Sequence, residues 1–65
     1  MKQTAYEKKV NKVKNVIINY VLINEVDIYN TSYILCYLSG YMPDEPIGVC
    51  VDALMQLREE QEGIK

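Results

Sequence analysis

Two prolines constrain this chain more than any other feature. Pro43 and Pro46 bracket Asp44 and Glu45. A proline is tolerated in the first turn of a helix but not in its interior, so Thr31–Gly63 cannot be one continuous helix. The stretch reads as two helices joined by a tight corner. Thr31 or Ser32 is placed to cap the earlier one and Gly40 to end it, with Ile34, Leu35 and Leu38 forming its apolar face. The later one should begin at Asp44 or Glu45 and turn Ile47, Cys50 or Val51, Leu54 and Leu57 inward, with Gly63 as its stop. Gly48 inside it costs roughly 1 kcal/mol relative to Ala, a cost that close approach of a neighbouring helix or a partner would explain.

The chain before this pair reads as a third helix that covers it. Thr4 with Glu7 three residues on is a capping box, which places the start near Ala5. Tyr6, Val10, Val13, Ile17 and Val21 recur at helical spacing, with Tyr20 beside them. Lys8, Asn11, Lys12, Asn15 and Asn19 fall on the opposite face. Val16–Ile23 is rich in β-branched residues, so a strand competes locally. The period runs unbroken from Tyr6, which favours a helix ending near Asn24. Glu25–Asn30 then alternates, with Val26 and Ile28 inward and Asp27 and Tyr29 outward, as in a short extended connector or a very short strand. The expected fold is all-α: one three-helix bundle over 1–65 with a helix-turn-helix-like core, its helices at about 5–24, 32–40 and 45–61.

With 65 residues the core is small, since a chain of this size buries only about 60% of the surface its unfolded form exposes. Six Tyr supply all the aromatic mass, without Trp or Phe. Tyr suits half-buried and interface positions, because its body is apolar and its tip polar. The net charge of −2 hides an asymmetry. Lys2, Lys8, Lys9, Lys12 and Lys14 crowd the start against Glu7 alone, whereas acids outnumber Arg58 and Lys65 in the rest. Opposite signs at the two ends can steer a partner or promote head-to-tail association.

Several chemistries lack their groups. There is no His, so a nucleophilic Cys has no imidazole base beside it, and two Cys leave a zinc site two ligands short. No cofactor motif is present. Asp44 and Glu45 are explained by helix capping and the helix dipole rather than by acid–base work. Cys36 and Cys50 could form a bridge between the second and third helices, but free buried thiols are the expectation. The polar, basic start carries no signal-peptide pattern, and no segment approaches the ~20 apolar residues of a membrane span. The expected setting is a reducing cytoplasm without membrane contact. The abundance of Lys, Asn, Ile and Tyr fits an AT-rich coding sequence, as in a low-GC bacterium or its phage.

The run Ser32-Tyr-Ile-Leu-Cys-Tyr-Leu-Ser-Gly40 followed by Cys50-Val-Asp-Ala-Leu-Met-Gln-Leu-Arg-Glu-Glu-Gln-Glu-Gly-Ile resembles the helix-turn-helix core of winged-helix domains. Leu38, Cys50, Leu54, Leu57 and Gly63 occupy the places that the family fills with its hydrophobic pattern and with the glycine that opens the wing. The resemblance covers about two thirds of the chain and is one of hydrophobic pattern. It implies a wingless version, because a wing hairpin should follow Gly63. The family's usual activity is DNA binding through the third helix. Here the expected outward positions of that helix are Glu45, Gly48, Val49, Asp52, Met55, Gln56 and Glu59, with no Arg or Lys to meet guanine or phosphate.

What is left points to contact rather than chemistry. Tyr29, Tyr33, Tyr37 and Tyr41 recur every four residues and can form one stripe, either exposed as a partner anchor or covered by the first helix. The acids Asp52, Glu59, Glu60 and Glu62 either meet a basic partner or simply solubilise a face. The expected function is that of a small non-enzymatic regulator or inhibitor that binds a protein, or a second copy of itself, through Tyr33, Tyr37, Tyr41, Val49, Asp52 and Met55. The alternative is a dimeric nucleic-acid-binding regulator that uses Lys8, Lys9 and Lys12 against phosphate.

Overall fold

The computed structural model describes residues 4–63 and contains three helices: α1 (Ala5–Asn24), α2 (Thr31–Tyr41) and α3 (Ile47–Gln61). No strand occurs among the described residues, so the fold is the all-α three-helix arrangement that the periodicities imply. α1 starts with the capping box: Thr4 Oγ1 accepts from the Glu7 amide, and the Glu7 carboxylate accepts from the Thr4 amide. It ends at Glu25, which adopts left-handed backbone (φ 55°), and the amides of Glu25 and Val26 both donate to the Val21 carbonyl. The half-buried Val26 and Val21 pack on the core at this helix end.

The corners differ in detail from expectation, for local reasons. Asn30, not Thr31 or Ser32, caps α2: its side-chain oxygen accepts from the Tyr33 amide. The Thr31 hydroxyl is engaged elsewhere, accepting from Arg58. Gly40 does not end α2, which continues to Tyr41. α3 begins at Ile47 rather than at Asp44 or Glu45. Pro46 accounts for this, because a residue before proline is pushed out of the helical region, so Glu45 cannot open a helix. Glu45 instead closes a turn by donating its amide to the Met42 carbonyl, with Pro43 at the second position where its fixed φ fits. Pro46 itself is the N-cap, with extended backbone and no side-chain cap bond. Gly63 (φ 70°) lies just past the end of α3 and donates to the Glu60 carbonyl, which is the expected stop.

α1 and α3 form the largest helix pair, and α2 makes a smaller contact with each. Lys12 lies 4.0 Å from Glu45, ahead of α3, whereas Lys14 bonds Glu60 near its far end at 2.6 Å. Two residues on opposite sides of α1 thus reach to the two ends of α3. The molecule is a slab of 34 × 32 × 18 Å, thin in one direction. Val10, Val13 and Ile17 of α1, Ile34 and Leu38 of α2, and Ala53, Leu54 and Leu57 of α3 fill the interior together with Ile28 of the connector.

Three assignments change: Val49 faces inward, only 3% exposed, while Ile47 and Tyr6 are exposed; of Cys50 and Val51, it is Cys50 that is buried. α3 is covered from two sides, by α1 and by α2, so its buried arc is wider than a single stripe and shifts toward Val49 and Ala53. Arg58 ties the connector to α3. Its Nε donates to the Ile28 carbonyl (3.1 Å), its Nη2 donates to the Thr31 hydroxyl, and its guanidinium lies 5.1 Å from the Tyr29 ring centre. No helix of the chain approaches Gly48 closely, because a Cβ there would meet nothing within 4 Å.

Replacement of the fully buried Ile17 by Ala should lower the unfolding free energy by about 3 kcal/mol, a large share of what so small a domain possesses. The same change at Ile23, which is 79% exposed, should cost under about 0.5 kcal/mol. Urea unfolding of the two variants checks the burial pattern.

Candidate partner-binding surface

The four-residue spacing of the tyrosines does not produce one stripe. Each step of four advances about 40° around a helix, and Tyr29 precedes α2 altogether. The stripe divides. Tyr29 turns toward α3, where its hydroxyl donates to Glu62 at 2.9 Å and its ring lies beside Arg58. Tyr37 turns toward α1 and stacks on Tyr20, ring centres 4.0 Å apart and planes inclined by 13°. Tyr41 continues the stack on the other side of Tyr37, at 5.3 Å and 11°. Tyr33 stands apart from the stack.

The result is a short aromatic column across the α1–α2 contact. Its base, Tyr20 and Tyr37, is half-buried; its end, Tyr41, is 62% exposed, as is Tyr33. Both alternatives for the stripe are therefore partly realised: α1 covers Tyr37, and Tyr33 and Tyr41 are left to solvent. The stack fixes Tyr37 and with it the position of Tyr41. An aromatic ring that is already ordered loses little entropy on binding.

The α3 residues expected on the same surface are placed differently. Val49 is buried and contributes nothing to a surface. Asp52 is half-buried and accepts a hydrogen bond from the Tyr6 hydroxyl of α1. Met55 is 51% exposed. No stacking or hydrogen bond joins Asp52 or Met55 to the α2 tyrosines among the described residues. Tyr20 completes the column, and the fourth-residue count on α2 missed it. Its position beside the α1 stripe was the available signal.

The charged candidates are largely occupied within the chain. Glu60 pairs with Lys14, Glu62 accepts from Tyr29, and Asp52 accepts from Tyr6. Lys12 faces Glu45, whereas Lys8 and Lys9 are exposed and make no ion pair among the described residues. Each of these pairs has at least one partner open to solvent, so they orient side chains more than they stabilise the fold. No group of three or more His, Cys, Asp or Glu is placed to hold a metal among the described residues. No helix there is long and apolar enough to cross a membrane.

The two thiols are both free, and only one is buried, which corrects the expectation for Cys36: it is exposed, and Cys50 lies in the core. Burial pushes the Cys50 thiol above its ordinary value of 9.0, and the nearby Glu45 charge adds to this. Since the thiolate is the reactive form, Cys50 should be inert while the fold is intact. A disulfide-exchange reagent at neutral pH should modify one thiol rapidly in native protein and two in denaturant. Two fast thiols in the native state would contradict the burial of Cys50.

The tyrosine hydroxyls respond to pH in a definite direction. The hydrogen bond to Asp52 raises Tyr6 above 10.0, with desolvation and the carboxylate charge acting the same way. The bond to Glu62 raises Tyr29, with Arg58 opposing. A raised native pKa means that the folded state holds the proton more tightly than the unfolded state. The contribution of both bonds is therefore complete below pH 10 and fades as the pH climbs through the raised values. Between pH 9 and 11 the urea midpoint of the wild type should fall more steeply than that of the Tyr6→Phe, Tyr29→Phe double variant.

No protein-family model matches this chain, and neither a curated protein nor a solved structure is significantly similar to it.

Proposed function

We propose that the chain is a non-enzymatic interaction module that binds a protein partner through the exposed face of α2, as a small regulator or inhibitor. The observation that carries this is the ordered aromatic column. Tyr20 and Tyr37 hold Tyr41 in place at the surface, and Tyr33 stands exposed on the same short helix. Tyr is enriched at the centre of interfaces, where a rigid ring buries much area at small entropic cost. Met55, a flexible and polarisable side chain, adds to the apolar surface on α3. The winged-helix resemblance fits the order of the helices. Its third helix, with Val49 buried and no Lys or Arg before Arg58, supports protein contact rather than groove binding.

The nucleic-acid reading has one specific observation in its favour, Lys8 and Lys9 at the start of α1, which are exposed and without an ion pair among the described residues. Lys12 and Lys14 face Glu45 and Glu60, which leaves few cations for phosphate. A homodimer would serve either reading.

The deciding experiment compares wild type with a Tyr33→Ser, Tyr41→Ser double variant, both positions being exposed enough to leave the fold intact. The complex formed by the wild type should survive 0.5 M salt (a concentration at which exposed charge pairs are screened) and should be lost in the double variant. Duplex binding that falls steeply with salt and is abolished by Lys8→Glu with Lys9→Glu would replace this reading with the other.

A further inference from the structure

α3 carries an apolar row that nothing in the chain covers. Ile47, Val51 and Met55 follow one another at intervals of four residues and are 62%, 38% and 51% exposed. The other side of the helix is fully used, since Val49, Cys50, Ala53, Leu54 and Leu57 are buried. Gly48 lies beside the row, and the open space where its Cβ would stand leaves room for a close approach from outside. At its start the row meets the cleft between α2 and α3, lined among others by Leu35, Ser39, Met42 and Ile47. A contiguous apolar strip with a polar rim marks a contact site, whereas single exposed apolar residues do not.

The rim is acidic. Glu59 continues the four-residue series beyond Met55, Asp52 follows Val51, and Asp44 lies in the turn ahead of Ile47. Glu59 and Asp44 are exposed and form no ion pair among the described residues. Asp52 accepts from the neutral Tyr6 hydroxyl rather than from a cation. α3 holds one cation, Arg58, and its guanidinium is turned to the Ile28 carbonyl and the Thr31 hydroxyl.

These charges choose between occupants. A second copy laid antiparallel on the row, about Val51, would bring Glu59 of each copy toward Asp44 of the other. A parallel copy would set Glu59 beside Glu59. Like charges so placed oppose pairing. Nucleic acid and an anionic membrane are repelled in the same way. Between Ile47 and Met55 the row rises about 12 Å, roughly two turns, which another helix can follow with apolar residues at matching spacing. We propose that the row of Ile47, Val51 and Met55 is a docking face for a basic amphipathic helix of a partner protein. The apolar side chains of that helix cover the row, and its Lys or Arg side chains meet Asp44, Asp52 and Glu59. The apolar contact supplies most of the affinity, while the acids select the sign of the partner and fix its orientation. The face lies on a different helix from the tyrosine surface of α2, and the inference does not rest on that surface.

The probe is a capped fourteen-residue helix of leucine and lysine, with the leucines along one face, compared with its analogue carrying glutamate for every lysine. Each is titrated into ¹⁵N-labelled protein at about 0.15 M salt. The basic peptide should give saturable shifts centred on the amides of residues 47–59 and bind about tenfold more tightly than the acidic one. Ile47→Ser with Met55→Ser, both positions being exposed, should weaken the basic peptide about tenfold. Asp44→Lys with Glu59→Lys should erase the preference between the peptides while the shifts stay on α3. Tyr33→Ser with Tyr41→Ser should leave both titrations unchanged, so the two surfaces stand or fall separately. Equal binding of the acidic peptide to wild type, shifts centred on residues 33–41, or an unaffected Ile47→Ser, Met55→Ser variant would overturn the proposal. So would dimerisation of the free protein that this variant abolishes, because the row would then belong to a second copy.

Discussion

The packing of α1 across α3, the largest helix pair, is the contact on which the rest of the structure depends. A chain of 65 residues has room for one such crossing, and its core is centred there. Val13 and Ile17 on α1 and Ala53 on α3 are wholly covered. Ala53 is the smallest side chain of this core. α2 then fills the remaining side with Ile34 and Leu38, and Arg58 secures the connector that leads into it.

This arrangement explains how charge and aromatic mass are distributed. The basic start and the acidic remainder look like poles for an external partner. Once α1 crosses α3, the poles meet inside one molecule, and Lys14–Glu60 and Lys12–Glu45 use them. Two tyrosine–carboxylate bonds take up two further acids. The surface that is left is therefore weaker in charge than the composition implies and richer in aromatic and apolar groups, with Tyr33, Tyr41 and Met55 prominent. Such a surface suits association that tolerates salt, in contrast to phosphate contact.

Helix number, order and most boundaries were legible because period, capping box and terminal glycine are local signals. Thr4–Glu7 and Gly63 behave as their chemistry dictates. The corner was less legible, since Pro46 acts on the residue before it and so delays α3 to Ile47. Asn30 as a cap was hidden by two hydroxyl residues after it, one of which serves Arg58. The surface was read least well. Whether Val49 is inward depends on α3 having neighbours on two sides, and whether Tyr37 is covered depends on where Tyr20 comes to rest. Both follow from which helices pack against each other, which no short-range pattern encodes.

Native-state amide hydrogen exchange tests the crossing most directly. Amides of Val13–Ile17 and Ala53–Leu57 should exchange slowest and only through global unfolding. Those of α2, held by the smaller contacts, should open at lower free energy. If α2 proved the most protected helix, or if α1 exchanged independently of α3, the crossing would not be the centre of the fold, and the surface derived from it would have to be redrawn.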